Sequence, residues 1–99
     1  MLEKELEAKF RESVREAGGR AYKFVSPGNS GVPDRLVVLP GGHIGFVELK
    51  QPGKKPTRLQ ARQHNILRGL GCYVAVLDRP ENTGKVLDGI REAGVRDAI

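Results

Sequence analysis

Two short apolar segments on either side of a glycine-rich turn constrain the fold more than any other feature of the chain. Residues 35–39 read RLVVL and residues 44–50 read IGFVELK, and both have the composition of β-strands. A proline and two glycines lie between them in residues 40–43 (PGGH), which favours a reversal of the chain. The pattern therefore predicts an antiparallel hairpin at the centre of the fold.

The N-terminal part predicts one helix and one strand. Apolar residues recur every four positions from Leu2 to Val14, which is the spacing of one helical face. Two glycines at residues 18–19 end this helix. Residues 21–25 (AYKFV) are a short strand candidate, and residues 26–33 (SPGNSGVP) contain the turn residues of a loop.

A second helix and a further strand follow the hairpin. Thr57 can cap a helix that runs to Leu70. Its apolar side chains are expected to face inward: Leu59, Ile66 and Leu70. Residues 72–77 (CYVAVL) are apolar on both faces and predict a buried strand, before a last helix that ends near residues 93–94. The order is helix, three strands, helix, strand, helix, which is an α/β fold with a mixed sheet flanked by helices.

Composition limits the classes of function. A chain of 99 residues predicts a single domain, residues 1–99, with a marginal core that dimerisation would stabilise. The net charge of +5 favours a polyanion such as nucleic acid, and the small number of aromatic residues argues against recognition by base stacking. No apolar run approaches the roughly 20 residues of a membrane span, so we expect a cytoplasmic protein that does not bind membranes.

Carboxylates and a lysine border the predicted hairpin. Because side chains alternate along a strand, Glu48 and Lys50 share one face at the end of the second strand. Asp34 begins the partner strand, so the hairpin brings it back towards them. Two carboxylates can hold a hard divalent cation, and a neighbouring ammonium suits hydrolysis of a phosphodiester. The simpler alternatives are a surface ion pair and a carboxylate that closes a turn.

The length of the turn decides between these alternatives. A two- or four-residue turn would pair Arg35 with Glu48 and send Asp34 to the other face. An odd loop, or a bulge at one of the glycines, would place Asp34 opposite Glu48 or Lys50. The sequence leaves both registers open.

A third carboxylate is available from the first helix. Three glutamates lie in its first turns, where acidic residues also complement the helix dipole: Glu3, Glu5 and Glu7. Glu3 and Glu7 are one turn apart and flank the apolar stripe, so either is placed to reach over the edge of the sheet.

Two histidines have no partner at the spacing of metal ligands. His43 lies in the predicted turn and His64 in the second helix. Both are expected to be surface residues.

The motifs Val32-Pro33-Asp34 and Glu48-Leu49-Lys50 resemble the signature of the PD-(D/E)XK nucleases. The element order resembles the restriction-endonuclease-like core of that superfamily, α-β-β-β-α-β with a C-terminal helix. More narrowly, the chain resembles a stand-alone VRR-NUC (virus-type replication-repair nuclease) domain. The further points of match are the acidic first helix, residues 30–34 (SGVPD) and Gln60 in the second helix.

This resemblance implies a role for each matching residue. Asp34 and Glu48 would bind Mg²⁺ or Mn²⁺ together with the backbone carbonyl of Leu49. Lys50 would position or help to deprotonate the attacking water. The resemblance implies two further site residues. Gln60 would support the site from the second helix. Glu3 would be an acid from the first helix that binds the metal directly or through water.

Basic residues follow the Glu48-Leu49-Lys50 motif where a DNA backbone would pass. The candidates for phosphate contact in this part of the chain are Lys54, Lys55, Arg58 and Arg62, and Arg68 is a further basic residue of the second helix. Lys23 on the first strand is a further candidate. Ser30 in the preceding loop would either contact DNA or close a turn, as would Ser26 and Asn29.

The resulting hypothesis is a metal-dependent, structure-selective DNA endonuclease that cuts four-way (Holliday) junctions as a homodimer in a prokaryotic or phage-infected host cell. The dimer interface is expected at the last helix and the fourth strand, where Val86, Leu87, Ile90 and Val95 are apolar. One alternative is a nuclease for flaps, nicks or ordinary duplex. Another is a non-catalytic nucleic-acid-binding module on the same fold.

Overall fold

The computed structural model describes residues 1–95, with side chains to residue 93. Four strands and three α-helices form in the predicted order. Their bounds are α1 Glu3–Glu16, β1 Arg20–Lys23, β2 Arg35–Leu39, β3 His43–Leu49, α2 Arg58–Gly69, β4 Val74–Leu77 and α3 Thr83–Val95, with a 3-10 turn at Pro80–Asn82 before α3. None of the helices within this range is long and apolar enough to cross a membrane.

The strands form one mixed sheet in the order β1-β2-β3-β4. β1 and β3 both pair antiparallel with β2, and β4 pairs parallel with β3 across the crossover helix α2. The predicted α/β fold class is therefore confirmed. Two strands are shorter than predicted: β1 ends at Lys23 and β4 begins at Val74.

A three-residue loop connects β2 to β3 and fixes their register. Gly41 and Gly42 both have positive φ, at 94° and 79°, which glycine adopts without steric cost. Arg35 therefore pairs with Val47. The same register carried one residue further places Asp34 opposite Glu48, as the odd-loop alternative requires.

The hydrophobic core lies on one face of the sheet, under α1 and α3. Its buried side chains are Leu6, Phe10, Val14, Val37, Leu39, Val47, Leu49, Leu77, Val86, Leu87 and Ile90. The dimer interface on α3 was expected because four of its residues are apolar. Three of these residues pack inside the chain, so that argument was wrong. The side chain of Val95 lies outside the described part of the structure.

Helix α2 covers part of the opposite face, and it is turned differently from the prediction. Leu59, Ile66 and Leu70 were expected to face inward, but they are 49%, 45% and 77% exposed. The inward face of α2 instead carries the residues that contact Glu48, as the site geometry shows. The expectation of a fully buried β4 was also wrong. β4 is an edge strand, and Val76, on the face that α2 only partly covers, is 36% exposed.

Candidate active site

Asp34 is fixed at the point where β2 begins. Its backbone carbonyl accepts a hydrogen bond of 2.8 Å from the Phe24 amide. Its side-chain Oδ2 accepts a second one, of 2.9 Å, from the backbone amide of Leu49. The carboxylate is therefore held against the end of β3 by a backbone donor, and it does not merely close the preceding loop.

Glu48 is a buried acid with an unusual charge environment. Its side chain is 1% exposed and lies on the face of the sheet opposite to the core. Burial, followed by the charge and hydrogen bonding of Asp34, raises the pKa of Glu48 from 4.5 to about 8, and the charge of Glu3 adds to this effect. Two carboxyl groups have thus been brought together with little water to screen them, which favours a bound cation.

Lys50 lies beside the same carboxyl group, as the alternation along β3 predicts. Its Nζ is 3.8 Å from Oε2 of Glu48, and its side chain is 16% exposed. The ammonium lowers the pKa of Glu48, but its effect is smaller than that of burial and of Asp34. The ionised form of Glu48 therefore remains disfavoured in spite of Lys50. The partly exposed ammonium can still contact a substrate that approaches from the solvent.

Gln60 connects the start of α2 to the site. Thr57 and Gln60 form a capping box, in which the Gln60 side chain accepts from the Thr57 amide at 2.9 Å. The other end of the same amide, Nε2, donates to Oε2 of Glu48 at 3.3 Å. The orientation of the Gln60 side chain is therefore set by the helix cap, and it is not a plain solvated residue.

His64 belongs to this site, and the expectation of a surface histidine was wrong. It is 1% exposed, and its Nε2 is 3.5 Å from Oε1 of Glu48. The usable signal in the sequence is its spacing from Gln60, since residues four apart share one helical face. His43 is half-buried at the start of β3.

The first-helix glutamates have separate environments. Glu7 pairs with the guanidinium of Arg35, which is buried next to Asp34. Glu3 is exposed, but it is close enough for its charge to affect Glu48. Within residues 1–95 there is no cluster of three or more acidic, histidine or cysteine side chains placed to hold a metal ion. Asp34 and Glu48 are thus the two carboxylates that the fold itself brings together.

Comparison with known proteins identifies the family of the chain. A scan of protein-family models found no match. The chain is 58% identical over 76 residues to "Putative nuclease p44" of Acyrthosiphon pisum secondary endosymbiont phage 1, an alignment that spans 77% of this chain and 82% of that protein. A solved structure described as a VRR_NUC domain superposes with a TM-score of 0.80 at 34% identity, covering 87% of this chain and 94% of that one. The chain belongs to the VRR-NUC family of nucleases.

A basic loop of the VRR-NUC domain lies between the site strand β3 and α2. The Gly53 amide donates to Oδ2 of Asp78 at 3.2 Å, which anchors the loop to the end of β4. Lys54 and Lys55 follow this anchor and are exposed. The loop therefore presents two ammonium groups between the element that carries Glu48 and the element that carries Gln60.

The arginines of α2 divide into two kinds. Arg58 and Arg62 are exposed and one turn apart, on a shallow depression that also includes Ile66. Arg68 donates to the Val74 carbonyl at 3.0 Å and connects α2 to β4, so its guanidinium serves the fold.

The two remaining DNA-binding candidates lie in different places. Lys23 is level with Arg35 in the sheet, on the face opposite to Glu48, so the structure does not bring it to the carboxylates. Ser30 precedes Gly31, which has a positive φ of 92°. A Cβ atom at position 31 would lie 2.9 Å from the Leu59 carbonyl oxygen. Ser30 therefore lies in a loop that packs closely against the start of α2.

The donor set of the VRR-NUC site fits Mg²⁺ or Mn²⁺. Asp34 and Glu48 supply carboxylate oxygens, which hard cations prefer. Oε1 of Glu48 is buried and has no hydrogen-bond partner. An ionised carboxylate in this position would be stabilised by a divalent cation, to which Asp34 and Glu48 would supply the oxygen ligands.

Proposed function

We propose that this VRR-NUC domain is a Mg²⁺- or Mn²⁺-dependent, structure-selective DNA endonuclease that acts on four-way junctions. The observation that carries the proposal is the juxtaposition of Asp34 with the buried Glu48, with Lys50 3.8 Å from the same carboxyl group. Two carboxylates and one ammonium at the end of a sheet form a set of groups suited to metal-assisted phosphodiester hydrolysis.

The cation would be held by Asp34, Glu48 and the backbone carbonyl of Leu49, with Glu3 contributing through a water molecule. When bound, a divalent cation offsets the charge of the scissile phosphate and lowers the pKa of a bound water. Asp34 and Glu48 are the ligands with the most direct support. The Leu49 amide holds the carboxylate of Asp34, and this carboxylate is close enough to raise the pKa of Glu48. Glu3 is supported by its charge effect on Glu48.

Lys50 and Gln60 would complete the site from opposite sides. Lys50 is an ammonium at the edge of the site, where it orients the attacking water and stabilises the negative charge that develops on the phosphate. Gln60 holds Glu48 from α2, since its side chain is already fixed by the helix cap. Both residues lie within 3.8 Å of Oε2 of Glu48, the proposed metal ligand.

The DNA backbone would pass over the basic loop and the start of α2. Lys54, Lys55, Arg58 and Arg62 are exposed there and would contact phosphates, with Ser30 from the neighbouring loop. Lys23 would contact a more distant part of the substrate at the β1 edge. Phosphate contacts position a protein without reading sequence, so this set favours selection by DNA shape.

A four-way junction has two equivalent strands to cut, which suits two sites related by a two-fold axis. We therefore propose a homodimer of single domains, residues 1–99. The exposed apolar residues on α2 and the adjacent edge strand are the proposed interface: Ile66, Leu70 and Val76. The enzyme would act where its DNA substrate is, in the cytoplasm of a prokaryotic or phage-infected host cell.

The direct test is cleavage of end-labelled four-way junction, flap, nicked duplex and linear duplex with Mg²⁺, Mn²⁺ or EDTA. We expect paired cuts in the junction that require either metal and are absent in the Glu48→Gln variant. Faster cleavage of flaps or nicks would support the simpler nuclease. DNA binding without cleavage in any metal would support the non-catalytic module. Cleavage in EDTA at the rate seen with Mg²⁺ would contradict metal dependence.

A further inference from the structure

We propose that His64 is a positioning residue for Glu48: its Nε2–H group holds Oε1 of the carboxylate, while Gln60 holds Oε2, so that Glu48 is oriented for a divalent cation. The inference rests on the proposed metal-dependent function and adds a residue to it. His64 has no role in either sequence motif of the site, and it touches no group that would react.

The geometry places the two helix residues on different oxygens of one carboxyl group. Gln60 Nε2 is 3.3 Å from Oε2, and His64 Nε2 is 3.5 Å from Oε1. The two residues are one helical turn apart on the inward face of α2, so the helix presents both donors together. A carboxylate held at both oxygens loses its freedom to rotate before a cation arrives.

His64 and Glu48 face each other with unused hydrogen-bonding capacity. Nε2 of His64 and Oε1 of Glu48 are both buried and have no hydrogen-bond partner, although they lie only 3.5 Å apart. A buried polar group without a partner is destabilising. An apolar side chain would avoid that cost at a position where α2 packs on the sheet, so the histidine is not explained by stability.

The hydrogen-bonding chemistry of the pair suits a donor at Nε2 of His64. An ionised Glu48 that binds a cation can only accept a hydrogen bond. In that state the two groups can therefore bond only when Nε2 of His64 carries a proton. Mg²⁺ prefers oxygen ligands, which argues for a contact through Glu48 and against direct ligation by His64.

The test compares His64→Gln, which keeps an N–H donor of similar reach, with His64→Leu, which keeps an apolar volume and no donor. Asn65→Ala is the matched control, because Asn65 is the exposed neighbour on the same helix. Three quantities are measured: Mg²⁺ and Mn²⁺ affinity by calorimetry, thermal unfolding in EDTA, and the ¹⁵N spectrum of the wild-type imidazole with Mg²⁺.

We expect His64→Leu to weaken Mg²⁺ binding by roughly 10–100-fold, the usual effect of losing a partner of a metal ligand. We expect His64→Gln to recover most of that affinity, and the wild-type spectrum to show the proton on Nε2. In EDTA, His64→Leu should unfold at or above the wild-type temperature. A merely structural histidine would give the opposite result, with altered unfolding and unchanged Mg²⁺ affinity.

Four results would overturn the proposal. The first is a His64→Leu variant that binds Mg²⁺ as the wild type does, with binding that still requires Asp34; in that case the proposed function survives alone. The second is a loss of Mn²⁺ affinity in His64→Leu that exceeds the loss of Mg²⁺ affinity and that His64→Gln does not recover. This result would make His64 a metal ligand. The third is the absence of any Asp34-dependent metal binding in the wild type, which would overturn the proposed function as well. If His64→Leu does not fold, the wild-type spectrum decides, and a proton on Nδ1 contradicts the proposal.

Discussion

Asp34, the residue before β2, lies opposite Glu48 of β3 when the hairpin register is continued by one residue, and the Leu49 amide holds Asp34 in that place by a hydrogen bond of 2.9 Å. The arrangement depends on the three-residue loop between β2 and β3. One residue more or fewer would turn Asp34 to the core face of the sheet, since side chains alternate along a strand. The loop length is therefore a requirement of the site and not only of the hairpin.

Removal of either carboxylate should abolish cleavage and leave the fold intact. We expect Asp34→Asn and Glu48→Gln to lower the cleavage rate by more than about 100-fold, because each removes a cation ligand. Affinity for uncleaved DNA should stay the same or rise, since repulsion with phosphate is relieved. Asp88→Asn is the control, as Asp88 is exposed and paired with Arg91 on α3. Cleavage at near wild-type rate by either site variant would show that the site is misassigned.

Replacement of Lys50 should separate chemistry from metal binding. Lys50→Ala removes an ammonium that is not a ligand for divalent cations, so turnover should fall by roughly 100–1,000-fold, as when a charge-stabilising donor is lost. Mg²⁺ affinity by calorimetry should change much less. Lys85→Ala, on the far side of the sheet, is the control. Weaker metal binding with normal turnover at saturating Mg²⁺ would contradict the role of Lys50.

The metal-free protein should lose stability as the pH rises. Glu48 has a pKa of about 8 in the folded state against an ordinary value of 4.5, so the folded protein binds this proton more tightly than the unfolded chain. Its contribution to stability is therefore fully present below about pH 4.5 and is lost as the pH rises through about 8. In EDTA, the Tm of the wild type should therefore decrease as the pH is raised from about 4.5 to about 8.

Glu48→Gln should remove most of this pH dependence, because the amide does not titrate. At pH 8 we expect the variant to be more stable than the wild type by at least about 1 kcal/mol, or roughly 4–8 °C in Tm for a domain of this size. Thermal unfolding at a series of pH values measures both proteins. A wild-type curve parallel to that of Glu48→Gln would show that burial and Asp34 do not disfavour the ionised form.

Salt should weaken DNA binding steeply, and the basic loop should account for part of the slope. Each phosphate contact contributes about 0.9 to the slope of log K against log salt for duplex DNA. The double variant Lys54→Gln/Lys55→Gln should flatten the slope by up to about 1.8 for junctions and duplexes alike. Lys9→Gln/Lys85→Gln carries the same charge change on α1 and α3 and should flatten it less. Equal slopes for the two double variants would remove the loop from the interface.

Assembly should depend on the exposed apolar face of α2. Sedimentation equilibrium at micromolar concentration should give a homodimer, and Ile66→Glu or Leu70→Glu should give a monomer, because a charge would be buried at the interface. Val25→Glu is the control, since Val25 is 66% exposed beside the opposite edge strand. A strictly monomeric wild type that still makes paired cuts in one binding event would contradict the two-fold argument. A monomer that makes only single nicks would favour a flap or nick nuclease.

Local signals predicted the elements well but placed α2 wrongly. The Thr57 cap and the end of α2 before Gly71 were confirmed, because capping depends on residues adjacent in the chain. The inward face of α2 could not be predicted from its apolar residues. Which side of a helix is buried depends on what lies beneath it, and beneath α2 lies the carboxyl group of Glu48.

The sequence by itself determined the family, the order of the elements and the pair of motifs that contain Asp34, Glu48 and Lys50. These follow from alternation, capping and turn residues, which are properties of neighbours along the chain. Only the tertiary structure decided that Asp34 faces Glu48 and that His64 joins them. The hairpin register depends on the φ angles that two glycines adopt, and the position of His64 depends on how α2 docks. The sequence of the turn allowed two registers, and the docking of α2 results from packing between residues distant in the chain, so neither could be predicted from local patterns.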